Sequence, residues 1–110
     1  METIMKLVRS AATMMAAALA LAATSAYAQN DAAALYKSKC QVCHGPDGKG
    51  DTPAGKKVGA KDFHAPEVVK MSDAELFDIT KKGKDKMPAY DKKLTDDQIK
   101  ELLKFIHSLK

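Results

Sequence analysis

The sequence predicts an all-α domain with three main helices and one long irregular loop. Two observations carry this: two capping-box signatures, each followed by apolar residues at helical spacing, and a short amphipathic segment near residue 31. A third supports them, since no segment alternates in the manner of a strand. With no Trp and 5% aromatic residues in 110, the chain has few large side chains to fill an interior. Domains this small commonly rely on a disulfide, a metal or a cofactor for stability.

Residues 1–28 read "METIMKLVRSAATMMAAALALAATSAYA". Lys6 and Arg9 precede an uncharged apolar run from Ala11 to Ala23, and Ala26-Tyr27-Ala28 supplies small residues for cleavage. This layout predicts a secretory signal peptide. The apolar run is shorter than the roughly 18–20 residues of a spanning helix, so a retained anchor is disfavoured. Cleavage after Ala28 leaves residues 29–110 as one domain, exported to the periplasm and without stable membrane insertion.

The first helix is expected from Asn30 or Asp31, either a good N-cap, to Cys40, with Ala32, Leu35 and Tyr36 on one apolar face. The tract "HGPDGKGDTPAGKKVGAKDFHAPEVVKM" follows, broken by glycines and prolines. Loops of this length are uncommon inside a compact domain and usually serve a site. Its small apolar residues Val58 and Ala60, together with Phe63, predict that it packs against something. Ser72-Asp73-Ala74-Glu75 opens the second helix, which Gly83 ends after Lys81 and Lys82. Thr95-Asp96-Asp97-Gln98 opens the third, with a wide apolar stripe through Ile99, Leu102, Leu103, Phe105, Ile106 and Leu109.

From Gln29 onward there are sixteen Lys, no Arg and thirteen acidic residues, a net charge of +3. Lys81, Lys82, Lys84, Lys86, Lys92 and Lys93 gather in one stretch. Nucleic-acid binding would call for Arg, interleaved aromatics and a stronger charge. The cluster reads instead as a solvated face or a docking surface for an acidic partner.

Both cysteines lie in "KCQVCHG", Cys40 and Cys43, with His44 directly behind. A disulfide between them would close a tiny loop and constrain the unfolded chain little. Zinc needs four ligands, and His64 and His107 are not spaced as a second half-site. A thiol–disulfide motif would open a helix in a fold built on a sheet. Here the pair follows a helical segment. C-x-x-C-H in an exported chain fits covalent attachment of one c-type haem: two thiols form thioethers with the vinyl groups, and the next residue offers an imidazole to the iron.

The sixth iron position is open to Met71, Met87, His64 or His107. Met87 precedes Pro88, which excludes it from helical geometry and lets its thioether project from irregular backbone. Met71 stands just before the Ser72 cap, where a hydrophobic-staple residue belongs. His64 and His107 read as surface histidines. Met87 is therefore the expected ligand, and a soft thioether raises the potential relative to bis-histidine ligation.

Over residues 30–110 the chain resembles the class I c-type cytochromes, small soluble proteins of bacterial periplasms. The resemblance implies the cytochrome c fold, three main helices wrapped around one covalent haem. It also implies Cys40 and Cys43 as thioether residues, His44 as proximal ligand and Met87 in "KMPAY" as distal ligand. By the same similarity, Ala32 and Tyr36 meet Leu102 and Phe105 where the first and last helices cross. Ala32 replaces the glycine often found there. A proline carbonyl, from Pro53 or Pro46, would take the other imidazole proton. The implied function is one-electron transfer as a monomer, not catalysis. Redox protein partners would dock at a lysine-rimmed haem edge. A haem subunit of a larger redox complex, or a haem enzyme or gas sensor with a labile sixth ligand, are the alternatives.

Overall fold

The computed structural model describes residues 31–110, which form one compact unit. The expected signal peptide, its cleavage point and Asn30 lie outside the described residues. Those described residues are helical, with a single isolated bridge between Lys84 and Met87 in place of any strand.

Helix α1 covers residues 31–39 and leads almost directly into α2, Gln41–His44. The Cys40 amide still donates to the Tyr36 carbonyl at 2.9 Å, so α1 continues into the motif. Helix α5, Asp73–Lys82, and helix α6, Asp96–Ser108, both carry complete capping boxes. In each, the Ser72 or Thr95 hydroxyl accepts from the third helical amide while Glu75 or Gln98 reaches back to the cap amide. Both boundaries are where the sequence predicts them.

The intervening tract differs from the expectation of irregular backbone. It holds two short helices, α3 (Pro53–Val58) and α4 (Pro66–Val69), each with proline at its first position. Proline is favoured there because its missing N–H would be unpaired anyway and its φ is already helical. Thr52 caps α3, its hydroxyl accepting from the Gly55 amide at 2.9 Å.

The core is small. Tyr36, Leu94, Ile99 and Leu102 form its buried centre, and Ala32 is also buried. The Tyr36 and Phe105 rings lie 5.3 Å apart between α1 and α6, as the resemblance implies. Tyr36 has a second role as well. Its hydroxyl donates to the Gly45 carbonyl at 2.6 Å, tying α1 to the residue just after His44.

Helix α3 lies against the back of the cysteine motif. The Thr52 hydroxyl reaches the Val42 and Cys43 carbonyls at 2.7 and 3.0 Å. A Cβ on Gly55 would collide with the Cys43 carbonyl oxygen and fall 2.7 Å from that of Gly50. Both obstacles are backbone atoms that cannot rotate away. Gly55→Ala should therefore destabilise the matured protein by about 1–3 kcal/mol or more. Thermal denaturation reads this directly, at about 4–8 °C per kcal/mol for a domain of this size. An unchanged melting temperature would show that α3 can separate from the motif without cost.

Candidate cofactor site

Because α1 runs into α2, Cys40, Cys43 and His44 stand at positions i, i+3 and i+4, which share one helix face. All three line a cavity of about 780 Å³, and so does Met87 from the far side of the sequence. Volumes of this order are typical of small-molecule and cofactor sites, roughly 300–1,000 Å³. Much of the remaining wall is apolar, including Val68, Leu76, Ile79, Leu102 and Ile106.

His44 is half-buried, and its Nδ1 lies 3.1 Å from the Lys61 carbonyl oxygen. A carbonyl can only accept, so Nδ1 carries the proton and Nε2 keeps its lone pair. Burial holds the imidazole pKa below its ordinary value, with the Lys61 bond opposing. The ring is thus neutral, with a lone pair on Nε2 available for donation. The acceptor differs from the expectation of Pro53 or Pro46: Pro53 is instead the first residue of α3. The chain's fold brings Lys61, seventeen residues past His44, to that position.

Burial pushes the Cys40 thiol up to about 11. Thiol–disulfide catalysis requires the reverse, a thiol lowered toward neutrality. The two sulfurs are not joined as a disulfide. No group of three or more His, Cys, Asp or Glu is placed to hold a metal ion among the described residues.

Met87 is half-buried in a tight turn closed by reciprocal backbone bonds, Lys84 N–H to Met87 C=O at 3.1 Å and Met87 N–H to Lys84 C=O at 2.9 Å. Asp85 within it has φ 53°, a left-handed conformation that Asp tolerates better than most residues. The turn is strapped to the end of α5 where Tyr90 N–H donates to Thr80 C=O and Asp91 N–H to Lys81 C=O, both at 3.1 Å. Tyr90 then donates its hydroxyl to the Lys39 carbonyl at 2.9 Å, linking this turn's chain back to α1.

Met71, His64 and His107 also line the cavity. Both His64 ring nitrogens are engaged, Nδ1 with the Asp62 carboxylate at 2.9 Å and Nε2 with the Leu109 carbonyl at 3.0 Å. Since both partners accept, only the imidazolium satisfies them together, and its pKa is raised chiefly by the Leu109 carbonyl and by Asp62. His107 Nε2 sits 2.8 Å from the Asp73 carboxylate.

Sequence reasoning did not anticipate Lys61, Thr52, Gly55 or the second role of Tyr36. Thr52-Pro53 does carry a readable signal, a cap residue followed by proline at a first helical position. The Lys61 carbonyl carries none, because a backbone acceptor can belong to any residue type.

The residues present fit a haem: two thiols and a neutral imidazole on one helix face, a thioether on the wall of the same cavity, and a largely apolar lining. This arrangement and fold are those of a class I c-type cytochrome. The chain belongs to the family described as cytochrome c oxidase, cbb3-type, subunit III, whose model matches residues 28–106. It is 32% identical over 88 residues to a cbb3-type cytochrome c oxidase subunit CcoP of Azospirillum brasilense, covering 78% of this chain. The chain spans 30% of that relative's length. Its structure is similar to that of KustC0563 c-type cytochrome, with a TM-score of 0.65 and 31% identity over 71% of this chain and 95% of the other. Family membership implies a covalently bound c-type haem and a role in electron transfer.

Proposed function

We propose that this protein is a periplasmic one-electron carrier holding a single haem through Cys40 and Cys43, with His44 and Met87 as axial ligands. The observation that carries the reading is the convergence of these four side chains on one largely apolar cavity, although Met87 lies 43 residues past His44 in the sequence. When bound, the haem supplies a one-electron ferric–ferrous couple.

The chain's own residues then set the conditions. The Lys61 carbonyl keeps the His44 proton on Nδ1 and so leaves Nε2 for the iron. Met87 is favoured over its competitors because the histidines on the wall are already engaged and Met71 immediately precedes the Ser72 cap of α5, the position of a hydrophobic-staple residue. The apolar wall limits water at the iron.

The lysine cluster divides in the fold. Lys81 pairs with Asp96 at 3.0 Å and Lys82 lies 3.9 Å from Asp78, whereas Lys84 and Lys86 line the cavity with Lys39 and Lys61. Exposed Val42 and Val69, 65% and 67% accessible, lie on the same wall. This lysine-rimmed apolar opening suits weak, salt-sensitive docking of an acidic redox protein to a monomeric carrier. The layout of residues 1–28 supports export, and no described helix is long and apolar enough to cross a membrane.

A second reading has its own support. The match to an oxidase subunit of which the matched segment spans only 30% favours a haem domain within a larger redox complex. Absorption spectra of the exported protein test both the haem and its ligands. Sharp low-spin ferrous α and β bands with a weak far-red ferric band are expected. A high-spin spectrum would overturn the sealed His/Met site, and stable co-purification with larger subunits would replace the free carrier with the complex.

A further inference from the structure

Beyond the ligands themselves, the geometry points to Phe63 as the residue that sets the plane of the His44 imidazole, and so would tune the iron through that ring. This rests on the reading of His44 as the proximal ligand. The two rings are 4.4 Å apart between centroids and 20° from parallel. That is a stacked arrangement at the short end of the range aromatic pairs favour.

The hydrogen bond to Lys61 is not enough to orient the imidazole. A single Nδ1–H···O bond fixes the direction in which the ring points, but the ring can still swing about that direction. A flat side chain against its face removes this freedom. Phe63 and the Lys61 carbonyl therefore act as two independent constraints, one on direction and one on plane, delivered by a segment of three residues.

The segment itself is built to hold still. The Phe63 amide donates to the Gly48 carbonyl at 2.9 Å, and the Ala60 amide donates to the Gly55 carbonyl at 2.9 Å. Gly48, at φ +77°, is required to be bare on the side facing the ring: a Cβ there would fall 2.7 Å from Phe63 Cδ2. Leu109 closes in on the same glycine from the C-terminal end, and His64 ties the Leu109 carbonyl down at 3.0 Å. Phe63 thus packs into the core cluster on one side while it faces His44 on the other.

The plane of an axial imidazole decides which iron d orbitals its π system overlaps, and hence the in-plane anisotropy of the ferric state. Partners around a ligating histidine tune the metal in this way without contacting it. A residue that only filled space would leave this anisotropy unmoved when replaced by another apolar side chain.

The test uses the matured haem protein with Phe63→Leu, which keeps apolar bulk and removes the flat face, and Phe63→Tyr, which keeps the ring. Ferric EPR g values and the paramagnetic NMR shifts of the haem methyl groups report the imidazole plane. The Leu variant should reorder the methyl resonances and shift the g values while the far-red Met–iron band persists, and the Tyr variant should restore the wild-type pattern. Unchanged methyl order in the Leu variant would overturn the assignment. Should the Leu variant not mature, Tyr and Met at position 63 give the same contrast, ring kept against ring lost. A wild-type ferric spectrum without histidine-ligated low-spin signals would instead remove the proximal ligand itself, and Phe63's role with it.

Discussion

Prevented from receiving its haem, through Cys40→Ser and Cys43→Ser together, the chain should lose the helical far-ultraviolet signal and the cooperative melting of the matured protein. Its interior explains why. Among the described residues the fully hidden large side chains are Tyr36, Ile99 and Leu102, and beside them lies a cavity of about 780 Å³. One Leu→Ala void already costs about 2.7–5 kcal/mol, against a total stability of about 5–15 kcal/mol for an ordinary domain. This cavity is several such side chains in volume, and water filling it would face mostly apolar walls. Circular dichroism of the haem-free double variant checks the expectation. Retained helix with a sharp melting transition would mean that the small core suffices alone.

The second large effect is expected from Met87→Ala. Loss of the thioether should abolish the far-red ferric band and lower the reduction potential, within the roughly 0.8 V that axial ligation controls across haem proteins. The direction follows from the chemistry of the donor: a soft neutral sulfur favours ferrous iron, and its replacement by water or a nitrogen favours ferric. The same substitution should leave α5 intact, because the turn is closed by backbone atoms of Lys84 and Met87 rather than by the Met87 side chain. Redox titration alongside the absorption spectrum measures both. A far-red band that survived in Met87→Ala but vanished in Met71→Ala would transfer the ligand to Met71, the other methionine on the wall.

Much of this was readable from local chemistry. The two capping boxes set the starts of α5 and α6, because caps act within four residues and owe nothing to the rest of the fold. The C-x-x-C-H spacing is equally local, and once α1 continues through it Cys40, Cys43 and His44 share one helix face. The meeting of Tyr36 with Phe105 followed from apolar faces plus the family resemblance. What escaped were backbone and contact features that only the assembled fold defines. Lys61 serves His44 through its carbonyl, so its side chain gave no hint, and a proline was expected instead. Gly55 looked like one more loop breaker, whereas it is the point where α3 touches the motif. His64 and His107 read as surface residues; both are exposed, yet each holds a carboxylate and lies on the cavity wall.

The strap between the Met87 turn and the last turn of α5 has a dynamic consequence. Hydrogen bonds from Tyr90 and Asp91 to Thr80 and Lys81 make the turn and the helix end one cooperative opening unit. A backbone excursion of the Met87 turn therefore frays the end of α5 as well. With Met87 as the proposed ligand, any exchange of foreign ligands that needs the turn to move would carry the cost of this local unfolding.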